Sequence, residues 1–386
     1  MDINLSKTKL FRFLFFFTTG IFLLGPFFYT FFPFKTVATY EDGRDFTPDV
    51  HPLYASYAFV HSRNIINIGI QPLYSPTGLI LEAIKRDRIL AEAMAKLGLR
   101  IQYFSFLKGR DVNHFLKNGD LHGGVGGELA ALSLASTKEI IVPSIVQSGF
   151  TSIVAKRDIF INEIHGRRIG YVPESISHFA LRKALSSEGL TEADVTLVPM
   201  DVTEIPEALE NGVIDAFSAW EPTPAVILKI YSGLETIYKR VNSGFFYFSK
   251  KFFINRPEAV RNILAAELRA VRWIKSDKKN LFQASEWAIL AGDKFTEGLN
   301  ELSPLQGVEL ALRDLFMTSS VPLIPGVDIS EKKRLEESFL FLKKNQQIPA
   351  GTNWEKIKKS FDGNILHFIL SSPEKYRLNE FNYRKK

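Results

Sequence analysis

No cysteine occurs anywhere in the 386 residues. That single absence removes disulfides, thiolate metal sites, a cysteine nucleophile and a lipid-modified N-terminal cysteine from consideration. The seven histidines, His51, His61, His114, His122, His165, His178 and His367, are scattered without the spacing of metal ligands, so neither a metal nor another cofactor is expected. A surplus of one charge is missing as well, except at the ends. The net charge of +6 resides in Lys7, Lys9, Arg12 and Lys35 against Asp2, and in Arg384, Lys385 and Lys386. Residues 36–383 are neutral, which argues against a nucleic-acid partner. The glycine-rich run Gly123-Gly124-Val125-Gly126-Gly127-Glu128 has no following Gly-Lys-Ser/Thr, and Leu129 stands where a dinucleotide fingerprint needs its third glycine. It is therefore neither a P-loop nor a Rossmann turn.

What the chain does have begins with Phe13 to Phe34, an uncharged apolar run preceded by Lys7, Lys9 and Arg12. As a helix it would extend about 33 Å, against a hydrocarbon core of roughly 30 Å. The run favours a membrane anchor over a cleaved signal peptide, for which Thr36-Val37-Ala38 is a poor exit. Basic residues before the span place the body outside the cytoplasm, on the periplasmic or extracellular face. Residues 36–63 read as a linker carrying Pro48 and Pro52.

The organising stretch runs from Glu163 to Pro224. Arg168 to Val172, Val195 to Val198 and Ile214 to Ala219 are short apolar strands, separated by amphipathic helices that end near Gly189 and Gly212. Such a unit makes a parallel sheet with right-handed crossovers, and ligands bind outside the carboxyl ends of its strands. Pro173 to His178 and Trp220 to Pro222 should therefore face one crevice. Ile65 to Ile70, a helical stretch from Leu79 to Leu97 broken near Asp87, and Arg100 to Phe106 repeat the pattern upstream. Glu139 to Val142 and Thr151 to Lys156 read as two separate apolar runs. Residues from Pro257 onward read as helices packed around the first unit.

The segment from His165 to Val198, followed by Ala208 to Pro222, resembles the second domain of solute-binding proteins that serve ABC transporters for sulfonates, nitrate, taurine and thiamine-precursor pyrimidines. The carriers of the resemblance are Arg168-Ile169-Gly170 with Pro173 after it, Ser175-Ile176-Ser177-His178, and Trp220-Glu221-Pro222. The resemblance implies a periplasmic-binding-protein type II fold: two parallel-sheet α/β lobes with a hinge, preceded here by a transmembrane helix. Lobe I would take residues 64–145 and 245–360, lobe II residues 146–244, the anchor 1–35, and a C-terminal tail 361–386, mobile from Tyr376 to Lys386. The implied function is capture of a small organic nutrient, sulfonate-like or aminopyrimidine-like, and its transfer to an ABC permease by a monomeric binding protein. A membrane-anchored ligand sensor, and an enzyme of the pyrimidine-synthase or lyase kind on the same fold, are the other readings.

Candidate ligand contacts are Gln71, Gly126, Gly127, Glu128, Ser175, Ser177, His178, Trp220 and Glu221, with no catalytic residue among them. Each has a plainer role as well. The glycines can be a tight strand-to-helix turn rather than an N–H nest. Ser175 or Ser177 can cap the helix while also touching ligand. Trp220 can be core, and Glu221 can hold a hinge. Glu174 replaces the glycine usual in the resembled family; with Glu128 and Glu221 on the same crevice it would disfavour a bare anion and favour a ligand with amine or amidine donors.

Overall fold

The computed structural model describes residues 47–298, 303–315, 320–330 and 333–384. The anchor expected over 13–34 lies outside them. Among the described residues no helix is long and apolar enough to cross a membrane. The expected linker is corrected in part: residues 51–59 are anchored through Tyr54, while residues 60–63 are exposed. Tyr54 is buried, its hydroxyl donates to Asp111 Oδ2 at 2.7 Å and accepts from the Leu107 N–H at 2.9 Å, and its ring lies against Phe106. Tyr57 and Phe59 extend the contact to Phe104.

Strand β1 (Ile65–Ile70) pairs in parallel with β2 (Arg100–Ser105) along its whole length. Between them lie helices α1 (Thr77–Arg86) and α2 (Arg88–Lys96). The break at Asp87 has a local cause: its backbone is extended and its carboxylate caps α2 by accepting from the Ile89 and Leu90 N–H groups. Helix α3 (Gly109–Asn118) then ends at left-handed Gly119.

The glycine run is a strand, β3 (Gly123–Gly127), parallel to β1 and antiparallel to an aromatic strand. This corrects the tight-turn and N–H-nest readings. A Cβ on Gly123 would stand 2.4 Å from Phe248 Cδ1 and 2.8 Å from the Tyr247 carbonyl oxygen, and one on Gly126 would stand 2.6 Å from the Tyr247 hydroxyl. Glycine is needed so that bulky neighbours can close on the strand. Helix α4 (Glu128–Thr137) follows directly.

The expected separate runs are parts of one long strand, β4 (Ile140–Lys156). The expected parallel unit follows, as β5 (Arg168–Tyr171), α5 (Ile176–Ser187), β6 (Thr196–Pro199), α6 (Ile205–Glu210) and β7 (Ala216–Trp220). Helix α7 (Thr223–Ile230) leads into the second long strand, β8 (Leu234–Ser249). The sheet order is β2-β1-β3-β8-β4-β7-β5-β6. The sheet is mixed, which corrects the expectation of parallel-sheet lobes: β8 is antiparallel to β3, and β4 to both β7 and β8. Two long strands paired with each other run from one half of the sheet to the other, so they cannot be parallel to every neighbour. The described residues accordingly form one compact unit.

Helices α8 (Lys250–Asn255), α9 (Pro257–Ser276), α10 (Lys278–Thr296), α11 (Pro304–Leu315), α12 (Gly326–Ile329), α13 (Arg334–Lys344), α14 (Trp354–Lys358) and α15 (Asn364–Leu370) complete the chain. Ile263, Leu264 and Val271 of α9 share a core with Ile66 and Ile68 of β1 and Leu79 of α1. The tail expected over 361–386 is corrected too. Tyr376 and Leu378 are buried in that core, and Tyr376 offers its carbonyl to the Arg269 guanidinium at 2.6 Å.

Candidate functional site

The carboxyl ends of β1, β2, β3, β5 and β7 lie around a cleft enclosing about 700 Å³. Three helices begin on it. Gly109 and Arg110 open α3, Gly127 precedes α4, and Ser175 and Ile176 start α5, all lining the cleft. The first-turn N–H groups of a helix lack intrahelical partners and carry the positive end of its dipole, so three such ends on one cavity favour an anionic group.

Two cations stand at the same rim, each paired with a carboxylate. Lys108 Nζ lies 2.7 Å from Asp201 Oδ1, and Arg110 Nη1 lies 3.2 Å from Glu174 Oε2. Each pair joins a residue after β2 to one after β6 or β5, and so spans the cleft from one half of the sheet to the other. Beneath the rim, burial pushes the Asp111 carboxyl up to about 6, opposed by nearby Lys108. Glu204, whose carboxylate accepts from the Asp201 N–H, is likewise pushed up to about 7 by burial.

The neutral lining is specific. Gln71 is buried directly after β1; its Nε2 donates to the Leu107 carbonyl at 3.3 Å, while its Oε1 has no hydrogen-bond partner among the described residues. Gln347, on the same cleft, also has an unpartnered buried Oε1. A buried acceptor left unpaired costs free energy, so both oxygens call for a donor from ligand or water. Asn113 is engaged at both ends of its amide, donating to the Ala130 carbonyl and accepting from the Tyr247 hydroxyl. Trp220 forms an apolar wall, edge-on to Tyr74, and Leu342 another.

Of the residues singled out in the sequence, the structure brings Gln71, Gly127, Ser175 and Trp220 onto this cleft. The Ser175 hydroxyl is also the helix cap, accepting from the Ser177 N–H and donating to the Val172 carbonyl at 2.6 Å. The other five lie elsewhere. Ser177 is a fully buried brace: its hydroxyl accepts from the Val172 N–H at 3.0 Å and its carbonyl accepts from Ser218 at 2.8 Å. His178 turns away, with Nε2 at 2.6 Å from Glu192 Oε1 and its ring against Tyr171.

Gly126 faces the Tyr247 hydroxyl. Glu221 receives Arg313 at 2.8 Å and the Ala225 N–H at 3.2 Å. Glu128 is fully buried beneath helix α13, accepting from Arg240 at 2.9 Å, from Ser338 at 2.8 Å and from Arg334. It clamps α13, which carries Leu342 to the cleft, onto α4.

Sequence reasoning missed Lys108, Arg110, Asn113 and Gln347. The first three were within reach, since they open a helix directly after a strand. Gln347 was not, because it arrives from a distant helix. Among the described residues no group of three or more His, Asp or Glu could hold a metal ion.

Residues 138–280 match the family model described as NMT1/THI5 like. No curated protein matches the chain. Among solved structures, the alkanesulfonate-binding protein SsuA from Xanthomonas axonopodis pv. citri, bound to MOPS, is similar at a TM-score of 0.57 and 17% identity, over 75% of this chain and 96% of that one. The periplasmic nitrate-binding protein NrtA from Synechocystis PCC 6803 is similar at 0.57 and 10% identity, over 84% and 92%. The desulfurization enzyme DSZB is similar at 0.55 and 15% identity, over 80% and 99%. The chain thus has the fold of the periplasmic sulfonate- and nitrate-binding proteins, with an NMT1/THI5-like segment running from the start of β4 into α10.

Proposed function

We propose that this chain is an extracytoplasmic solute-binding protein that captures a small organic anion and hands it to an ABC permease. The observation that carries the reading is the convergence of three helix N-termini with Lys108 and Arg110 on one cleft. The case for an amine-bearing, non-anionic ligand rested on three carboxylates facing the site. Glu128 and Glu221 are instead held by arginines away from it, which leaves Glu174 alone, paired with Arg110. The unpartnered Gln71 and Gln347 oxygens ask for an N–H or O–H donor on the same ligand. A sulfonate with an amino or hydroxyl group meets both demands, and so does an anionic derivative of an aminopyrimidine.

In this reading residues 64–145 with 245–360, and residues 146–244, are two lobes hinged along β4 and β8. Ligand shifts an open population toward a closed one in which Lys108 meets Asp201 and Arg110 meets Glu174. Residues 13–34 tether the monomer to the membrane, with the body on its periplasmic or extracellular face. DSZB is similar in fold and is an enzyme. The binding reading is better supported here, because the Ser175 hydroxyl is engaged as a helix cap and donates to the Val172 carbonyl.

The test is thermal unfolding with a panel of alkanesulfonates, amino- and hydroxysulfonates, nitrate and aminopyrimidines, followed by calorimetry on any hit. Ligand at about 100 times its dissociation constant should add roughly 2.7 kcal/mol of stability. Gln71→Ala should weaken donor-bearing ligands more than plain alkanesulfonates. A panel with no stabilising member, or turnover of a bound compound, overturns the reading.

A further inference from the structure

At the edge of the sheet opposite the cleft, where β4 begins and β8 ends, lies a second groove of about 1120 Å³. Its rim carries Lys138 at the end of α4, Lys250 at the start of α8, and Lys356 and Lys359 on and after α14. Burial, and after it the charge of nearby Lys251, holds the Lys138 amine below lysine's ordinary range. The acidic residues of the groove are Glu139, largely exposed at 3.6 Å from Lys250, and Asp362. A body that is neutral as a whole therefore gathers four lysines against two carboxylates here, and like charges held together repel until a counter-anion arrives.

The floor is apolar, formed by Ile140, Ile141 and Phe253, and Ile254 stands at the lip 64% exposed. A flat bilayer surface reaches a rim of lysines but not a concave floor. A nucleic acid would want exposed aromatic faces, and Phe253 is half-buried. A peptide segment carrying both carboxylates and apolar side chains fills both parts.

We propose that this groove docks an acidic, amphipathic segment of a partner protein, its carboxylates on the lysine rim and its apolar side chains on the Ile140 and Phe253 floor. The site is separate from the cleft and does not depend on the function proposed for it.

The test is a fluorescence-anisotropy titration of the full-length chain, in mild neutral detergent, with a fluorescein-labelled peptide rich in glutamate and carrying leucine at helical spacing. Saturable binding is expected. The Lys356→Glu/Lys359→Glu variant, whose changes are on exposed side chains, should weaken it at least roughly tenfold with circular dichroism unchanged. Raising salt from about 20 to about 300 mM should weaken it too. Equal affinity for native and variant protein overturns the proposal. So does equal affinity for the same peptide with serine in place of leucine, because the floor then contributes nothing. Soluble dihexanoyl phosphatidylglycerol that binds the native groove and displaces the peptide would assign the surface to lipid headgroups instead.

Discussion

Arg110 Nη1 reaches Glu174 Oε2 at 3.2 Å across the mouth of the cleft, and Glu174 makes that contact from a left-handed backbone, φ +54°. A side chain in this region costs roughly 1 kcal/mol that glycine does not. A glycine at this position would take the same backbone without that cost. The strain sits at the cleft, where strained residues are often tied to function. Glu174→Gly should leave stability within about 1 kcal/mol of native, because relief of strain offsets loss of an exposed ion pair. It also removes one carboxylate from the rim, leaving Asp201 on Lys108. Calorimetry with a sulfonate should show tighter binding to the variant, the gain in charge outweighing the lost closing contact with Arg110; weaker binding would mean that the closing contact contributes more than the charge.

Two glycines of β3 separate packing from ligand contact. Gly123→Ala would push a methyl group against the Phe248 ring and the Tyr247 backbone, and overpacking of this kind typically costs about 1–3 kcal/mol. Gly127 has φ −66°, and a methyl group added there would meet nothing nearer than the Ser243 carbonyl at 3.9 Å. Gly127→Ala should therefore unfold at the native temperature while binding ligand less well. Equal loss of stability in both variants would show that the run is structural throughout.

The contrast also shows what was legible in the chain. β1 was readable to the residue, because an apolar run stops at Gln71-Pro72, and the Glu163 to Pro224 unit was readable because each strand, helix and turn is coded within a few residues. The fate of the charged residues was not. Glu128 looked like a ligand contact at a helix start, yet it is neutralised by Arg334, 206 positions away, and by Arg240. Lone runs such as Glu139 to Val142 carry no mark of the long strand they belong to, since β4 and β8 are defined by pairing with each other. Local pattern gave the elements, and long-range partners decided which side chains reached the cleft.

Glu267, on α9, is fully buried beside Ser144 and forms no ion pair among the described residues. Burial pushes its pKa up to about 8 from glutamate's ordinary 4.5. Between these values the folded chain holds a proton that the unfolded chain has released, so stability falls as pH rises through this window. The effect is on the order of a few kcal/mol. Glu267→Gln keeps the shape and has nothing to ionise. Urea unfolding at several pH values between about 5 and about 9 should show the native chain losing stability relative to the variant. Parallel curves would mean that Glu267 is ionised and paired in the folded state.

Asp87 and Arg269 form a buried ion pair, Oδ2 to Nη2 at 2.6 Å, that ties the break between α1 and α2 to the C-terminal residues through the Tyr376 carbonyl. Burial raises the Asp87 pKa, and the guanidinium opposes the rise. Arg269→Met removes the cation while leaving a carboxylate in the core, a change that commonly costs about 3–5 kcal/mol. Arg269→Met with Asp87→Asn removes both charges and keeps a side chain able to cap α2, so the double variant should recover much of that loss. Removing residues 373–386 should destabilise as well, because Tyr376 and Leu378 leave the core they share with α9. Chemical denaturation of the three variants decides the matter. A truncated chain as stable as the native one would make the tail dispensable, and a double variant no better than Arg269→Met would show that the pair is needed for its geometry rather than for charge balance.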